Sequence, residues 1–151
     1  MTFNTFKKVI RVVSILCFVM FFLPMFFVSC GGEKVAEVSA LRAATGYIPE
    51  MQKAQVSATP HWGYWIIVII SLILLLMTFM KSVTEKALTM SASIGLLLLL
   101  VVYIVFHAEA NQMCRDYNCA LDVTFWYVLN MIMIGISFIL SVVRLFKGRQ
   151  S

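Results

Sequence analysis

Four cysteines, two histidines and a thin scatter of hydroxyls carry whatever chemistry this chain has. Cys114 and Cys119 are separated by four residues, a spacing that suits a small closed ring. A Cys114–Cys119 disulfide is therefore the expected staple, with Cys30 as the alternative partner of either. Cys17 lies inside an apolar run and reads as a small packing residue. A thiol oxidoreductase could use such cysteines, but its active pair is normally Cys-x-x-Cys, and no pair here has that spacing. His61, His107, Cys114 and Cys119 could be assembled into a zinc site, yet no paired ligand spacing accompanies them. His107 reads instead as a boundary residue near Glu109. No catalytic, cofactor-binding or metal-binding residue is assigned, and the chain is read as a non-enzyme without a cofactor.

The elements that must position these residues follow from composition. The chain has 151 residues, of which 62% are apolar and 13% charged. A soluble protein of this size could not hide that much apolar surface. The charges are clustered and leave four windows free of Lys, Arg, Asp and Glu. These are Val12–Gly32 (21 residues), Ala54–Met80 (27), Ala87–Ala108 (22) and Val123–Val143 (21). A bilayer core needs roughly 20 apolar residues per helix. A soluble enzyme, a disordered chain and a nucleic-acid-binding domain are excluded on this arithmetic.

The expected fold is all-α, a single integral membrane domain over 1–151. It is a four-helix transmembrane bundle with a short extracytoplasmic helix or cap. The spans run from about 9–28, 62–80, 87–106 and 123–145. Helix is required because an unpaired amide in lipid costs several kcal/mol and the runs lack barrel alternation. Lys and Arg set the orientation. Lys7, Lys8, Arg11, Lys81, Lys86, Arg144, Lys147 and Arg149, with Glu85, give one side a net +7. The loops 30–61 and 108–122 carry a net −2. Both termini are expected in the cytoplasm and both loops outside, in a cell membrane. Trp62, Tyr64, Trp65, Trp126 and Tyr127 then gather at the outer boundary. The basic excess is explained by topology and by anionic lipid headgroups, with no nucleic acid.

The first span has a second possible reading. Lys7, Lys8 and Arg11 ahead of an apolar run resemble an export signal, and Phe27-Val28-Ser29-Cys30 resembles a lipoprotein cleavage box. Phe27 stands where that box usually has leucine, and the run is longer than a signal core, so the span is expected to be retained. Leu23-Pro24 and Val28-Ser29-Cys30-Gly31-Gly32 resemble an element of small, uncharacterised bacterial multispan proteins. The resemblance covers about ten residues and implies no activity. On their own terms, Pro24 is expected to kink the first helix near its outer end, and Gly31 and Gly32 to free the backbone beyond it.

Glu33 to Thr45 reads as a short outer helix with Val35, Val38 and Leu41 on one face and Gly46 as its stop. Pro49 and Pro60 punctuate the rest of that loop. Inside the windows no acid, base or histidine lies near the midplane, which argues against ion-coupled transport. Asn130 is the most costly polar group there and is read as interhelical glue. Ala87, Ser91 and Gly95, with Ser137 and Ser141, form small-residue stripes that should pack the third span on the fourth. The expected function is a non-catalytic accessory or scaffold subunit presenting an outer cap to a protein partner or lipid. Membrane lipid and a membrane protein partner or second copy are the expected contacts. A small oligomeric channel is the alternative, and a membrane thiol-disulfide protein the third.

Overall fold

The computed structural model describes residues 2–46, 62–116 and 118–147. In chain order it forms α1 (Phe3–Met20), β1 (Pro24–Cys30), β2 (Glu33–Ser39), α2 (Ala40–Thr45), a 3-10 turn (Trp62–Tyr64), α3 (Trp65–Phe79), α4 (Glu85–Asp116), β3 (Cys119–Val123) and α5 (Phe125–Lys147). The chain is mainly helical. Three helical segments, Trp62–Phe79, Glu85–Asp116 and Phe125–Phe146, are long and apolar enough to cross a membrane. The three strands make one sheet, so the all-α expectation is corrected.

The first correction falls where α1 ends. Thr2 caps its start by accepting from the Thr5 amide, and Phe6, Ile10, Val13, Cys17 and Met20 bury one face at helical spacing. The helix stops at Met20 rather than running on to Val28. Pro24 lacks a backbone donor and disfavours helix in the residue before it, and here it opens a strand instead of kinking a helix. Phe26, Phe27 and Val28 suit that strand. Gly31 and Gly32 follow with φ of +63° and +88°. A two-residue hairpin loop asks for positive φ at both positions, which glycine adopts without strain.

The hairpin replaces most of the expected outer helix. Residues Glu33–Ser39 pair antiparallel with β1, placing Cys30 opposite Glu33 and Val28 opposite Ala36. Ala36 and Val38 are buried in alternation with exposed Glu37. A paired neighbour thus outweighs a weak helical spacing. Only Ala40–Thr45 coil, with Ser39 as the N-cap and left-handed Gly46 as the stop the sequence offers. The sheet order is β2-β1-β3, with β3 antiparallel to β1.

Among the long helices, α1 packs on α3 and α5, and α4 packs on the same two. The basic residues of α1 meet the C-terminus of α3. Arg11 donates to Thr78 Oγ1 at 3.2 Å and to the Thr78 carbonyl at 3.0 Å, and Lys7 donates to the Met80 carbonyl at 3.2 Å. Carbonyls at a helix end lack partners within the helix, and cations there also complement the dipole. Arg144 of α5 pairs with Glu85 at the start of α4 and lies over the Phe6 ring. The helices therefore have one basic end, and the sheet caps the other.

The α4 helix continues ten residues past the expected Phe106, so most of the loop read as 108–122 is helix. It ends near Asn118, whose φ of +54° turns the chain into β3. The small-residue stripe also turns out differently. Gly95 is buried against α3, where a Cβ would stand 3.1 Å from Leu74 Cδ1 and 3.2 Å from Ile70 Cγ2. Ser91 is half-buried and Ala87 is exposed. Residues four apart rotate by about 40° per step on a helix of 3.6 residues per turn, so the stripe leaves the interface. Ser137 and Ser141 are buried, but Ser141 donates to the Ser137 carbonyl within α5 rather than across helices.

Candidate functional site

The sheet is docked on the helix ends by one aromatic side chain. Fully buried Phe26 lies with its ring centroid 4.9 Å from Phe106, 4.9 Å from Tyr127 and 5.6 Å from His107. Tyr64 extends the cluster at 4.5 Å from Phe106 and donates its hydroxyl proton to Glu109 on α4. His107, expected at a boundary near Glu109, is half-buried and packed between Phe26 and Tyr127.

Thr124 joins sheet to helix. Its hydroxyl donates to the Pro24 carbonyl at 2.8 Å and accepts from the Tyr127 amide at 3.3 Å, while its own amide donates to the Met25 carbonyl at 3.0 Å. One residue thus caps α5 and holds the last pairing of β1. On the opposite flank, the Leu41 amide donates to the Phe21 carbonyl, which fastens α2 to the end of α1.

The disulfide joins Cys30 to Cys119, across 89 residues. The favoured Cys114–Cys119 pair is corrected, and Cys30, the alternative, is the partner. Register decides it. Cys30 and Cys119 stand opposite each other on β1 and β3 with Cα atoms 4.4 Å apart, close to the spacing of a non-hydrogen-bonded antiparallel pair. Cys114 is carried on α4, where it is buried with a free thiol. The bond also uses the sulfur that lipoprotein processing would acylate. Among the described residues no three His, Cys, Asp or Glu side chains gather as a metal set, and His61 lies outside those residues, as do Pro49 and Pro60.

A second polar feature sits deep between the helices. Asn130 is fully buried, and its Oδ1 accepts from the Cys17 thiol at 3.6 Å, joining α5 to α1. Buried Tyr103 on α4 lies beside the same amide without meeting hydrogen-bond geometry. Tyr127 donates to the Tyr103 carbonyl at 3.3 Å. Sequence reading singled out Asn130 as glue and Cys17 as a packing residue but did not bring them together with Tyr103, because nothing in one sequence pairs residues 17, 103 and 130.

Compared with known protein families, curated proteins and solved structures, the chain matches none of them. The sheet end and the buried polar level therefore stand on their own chemistry.

Proposed function

We propose that the chain is a multi-pass cell-membrane protein whose four long helices cross the bilayer. Both termini lie in the cytoplasm, and the disulfide-bonded sheet is presented outside as a docking cap for a protein partner. The observation that carries this reading is the sheet itself. It is a small module fixed by a disulfide, by Phe26 and by Thr124, and among the described residues it leaves β2 and β3 as edge strands. Edge strands offer unpaired backbone groups to another chain.

Membrane placement is supported by the outward faces of the helices. Ile69, Ile73 and Leu76 on α3, Ile94, Leu98 and Val101 on α4, and Ile132, Ile136 and Ile139 on α5 are all exposed. Apolar surface this continuous belongs against lipid. A disulfide is at home on the oxidising side of a membrane, which agrees with the basic end facing the cytoplasm. Membrane lipid is then the second contact, along the helices.

A photo-crosslinking amino acid placed at exposed Glu37 on β2, in the native host membrane, tests the reading. A discrete protein adduct is expected from that position and not from the outward-facing position 98. The adduct should disappear in a Cys119→Ala background. Adducts from position 98 alone would move the partner into the membrane and overturn the cap as the docking element.

A further inference from the structure

Each of the four long helices brings a polar side chain to nearly the same depth of the core. These are Cys17 on α1, Ser71 on α3, Tyr103 on α4 and Asn130 on α5, all at most 1% exposed. The contacts between helices fix the level. Arg11 meets Thr78 and Lys7 meets Met80, so Cys17 stands within about a turn of Ser71 along the antiparallel pair. Tyr127 meets the Tyr103 carbonyl and Arg144 meets Glu85, so Asn130 is level with Leu99 and Leu100. A tyrosine on a helix leans toward the N-terminal turn, which brings the Tyr103 hydroxyl down from its own Cα to that depth.

Elsewhere in the core, hydroxyls are satisfied by their own helices. Ser14 donates to the Ile10 carbonyl, Thr78 to Leu75, Thr89 to Glu85, Ser93 to Thr89 and Ser141 to Ser137. At the shared level this pattern fails three times. Asn130 Nδ2, Tyr103 Oη and Ser71 Oγ are fully buried and make no hydrogen bond among the described residues, the amide lying beside the phenol without bonding to it. A buried polar group left unpaired is costly, and three at one depth on three helices is a pattern rather than an accident of one rotamer.

We propose that this level is an internal hydration site. Water accepts from Asn130 Nδ2 and bonds to Tyr103 Oη, and Ser71 is the third group at that depth. The donor set selects the ligand. Nδ2 only donates, while the phenol and the serine hydroxyl both donate and accept, which matches a molecule having two donors and two acceptors. A metal cation would face an amide N–H and no carboxylate. An anion would have only neutral donors deep in a medium of low dielectric. Internal waters normally make two to four hydrogen bonds to groups of this kind.

Radiolytic footprinting in H2(18)O on the full chain in detergent tests the site, because hydroxyl radicals formed at a bound water modify the side chains touching it whatever their surface exposure. Tyr103 is expected to take up the isotope several-fold faster than Phe106 and Phe26, which are as deeply buried. Cys17 is expected to oxidise faster than buried Cys114. Asn130→Leu should bring Tyr103 down to the Phe106 rate. If that variant does not fold, Tyr103→Phe should slow Cys17 oxidation to the Cys114 rate. Labelling of wild-type Tyr103 no faster than Phe106 would overturn the proposal. It would show that the Asn130 amide is turned round, with its oxygen accepting directly from the phenol.

Discussion

Neighbours in sequence with opposite fates show how much a single position decides. Phe26 is enclosed by Phe106, Tyr127 and His107, whereas Phe27 points to the other face of β1 with Lys34 3.7 Å above its ring. Truncating a buried phenylalanine typically costs 3–5 kcal/mol, roughly, through lost transfer energy and the cavity left behind. An exposed cation–π contact contributes about 0.5–1 kcal/mol. Phe26→Ala should therefore lower the melting temperature in detergent far more than Phe27→Ala, and equal losses would show that the sheet is not held on the helices by this ring. The cysteines make a second residue-scale case. Non-reducing peptide maps should recover a Cys30–Cys119 crosslink that survives Cys114→Ala. Closing so long a loop contributes about 4.6 kcal/mol in the chain-entropy model, so Cys119→Ala should be clearly destabilising. A Cys114–Cys119 crosslink in the map would contradict the register. That pairing was not legible in the sequence, because closeness along the chain and closeness across a strand pair are unrelated quantities.

At the scale of elements, the long helices were legible and the strands were not. Windows of 21 to 27 uncharged residues leave little choice but helix, and they differ from α3, α4 and α5 chiefly at their ends. Pro24-Met25-Phe26-Phe27-Val28 extends the first apolar window without a break, so hydrophobicity alone cannot show that helix gives way to strand there. The Gly31-Gly32 pair was the available signal, since two glycines between apolar runs mark a tight hairpin. The Ala87, Ser91 and Gly95 spacing was visible, and α4 does pack on α5 as expected, but Gly95 itself faces α3, because the spacing of one helix cannot say which neighbour each residue meets. The structure turns that into a sharper test. Gly95→Leu should overpack against Leu74 and Ile70 at a cost of about 1–3 kcal/mol, while Leu98→Phe, on the exposed face, should be nearly neutral. Leu74→Ala makes room at the same contact, so it should restore part of the melting temperature in the Gly95→Leu background. Absence of any rescue, or rescue by a small residue at Ile134 of α5 instead, would return the stripe to the interface expected from sequence.

Over the whole molecule, charge and architecture point along one axis. Lys7, Arg11, Lys81, Lys86 and Arg144 lie at one end of the helices, and Glu33, Glu37, Glu109, Asp116 and Asp122 lie at the sheet end. Helix α1 runs beside α3 over its length, because Lys7 meets Met80 at one end and the Phe21 ring lies 5.6 Å from that of Trp65 at the other. At about 1.5 Å per residue its 18 residues reach about 27 Å, close to the hydrocarbon thickness, and Phe21 to Leu23 add to it. On the proposed topology α1 thus crosses with its three charged residues near one surface, where their side chains can reach the interface or the end of α3. Single-cysteine labelling decides the matter with little background, since Cys17 and Cys114 are buried and Cys30 and Cys119 are bonded. Lys81→Cys and Ser151→Cys should resist a membrane-impermeant maleimide on intact cells and react once the membrane is opened. Glu37→Cys should react alike before and after the membrane is opened. Outside labelling at position 151 with position 81 still protected would mean an odd number of crossings and overturn the four-span reading. Outside labelling at position 81 with protection at position 37 would keep the number of crossings and invert the molecule, placing the disulfide on the reducing side against its own chemistry.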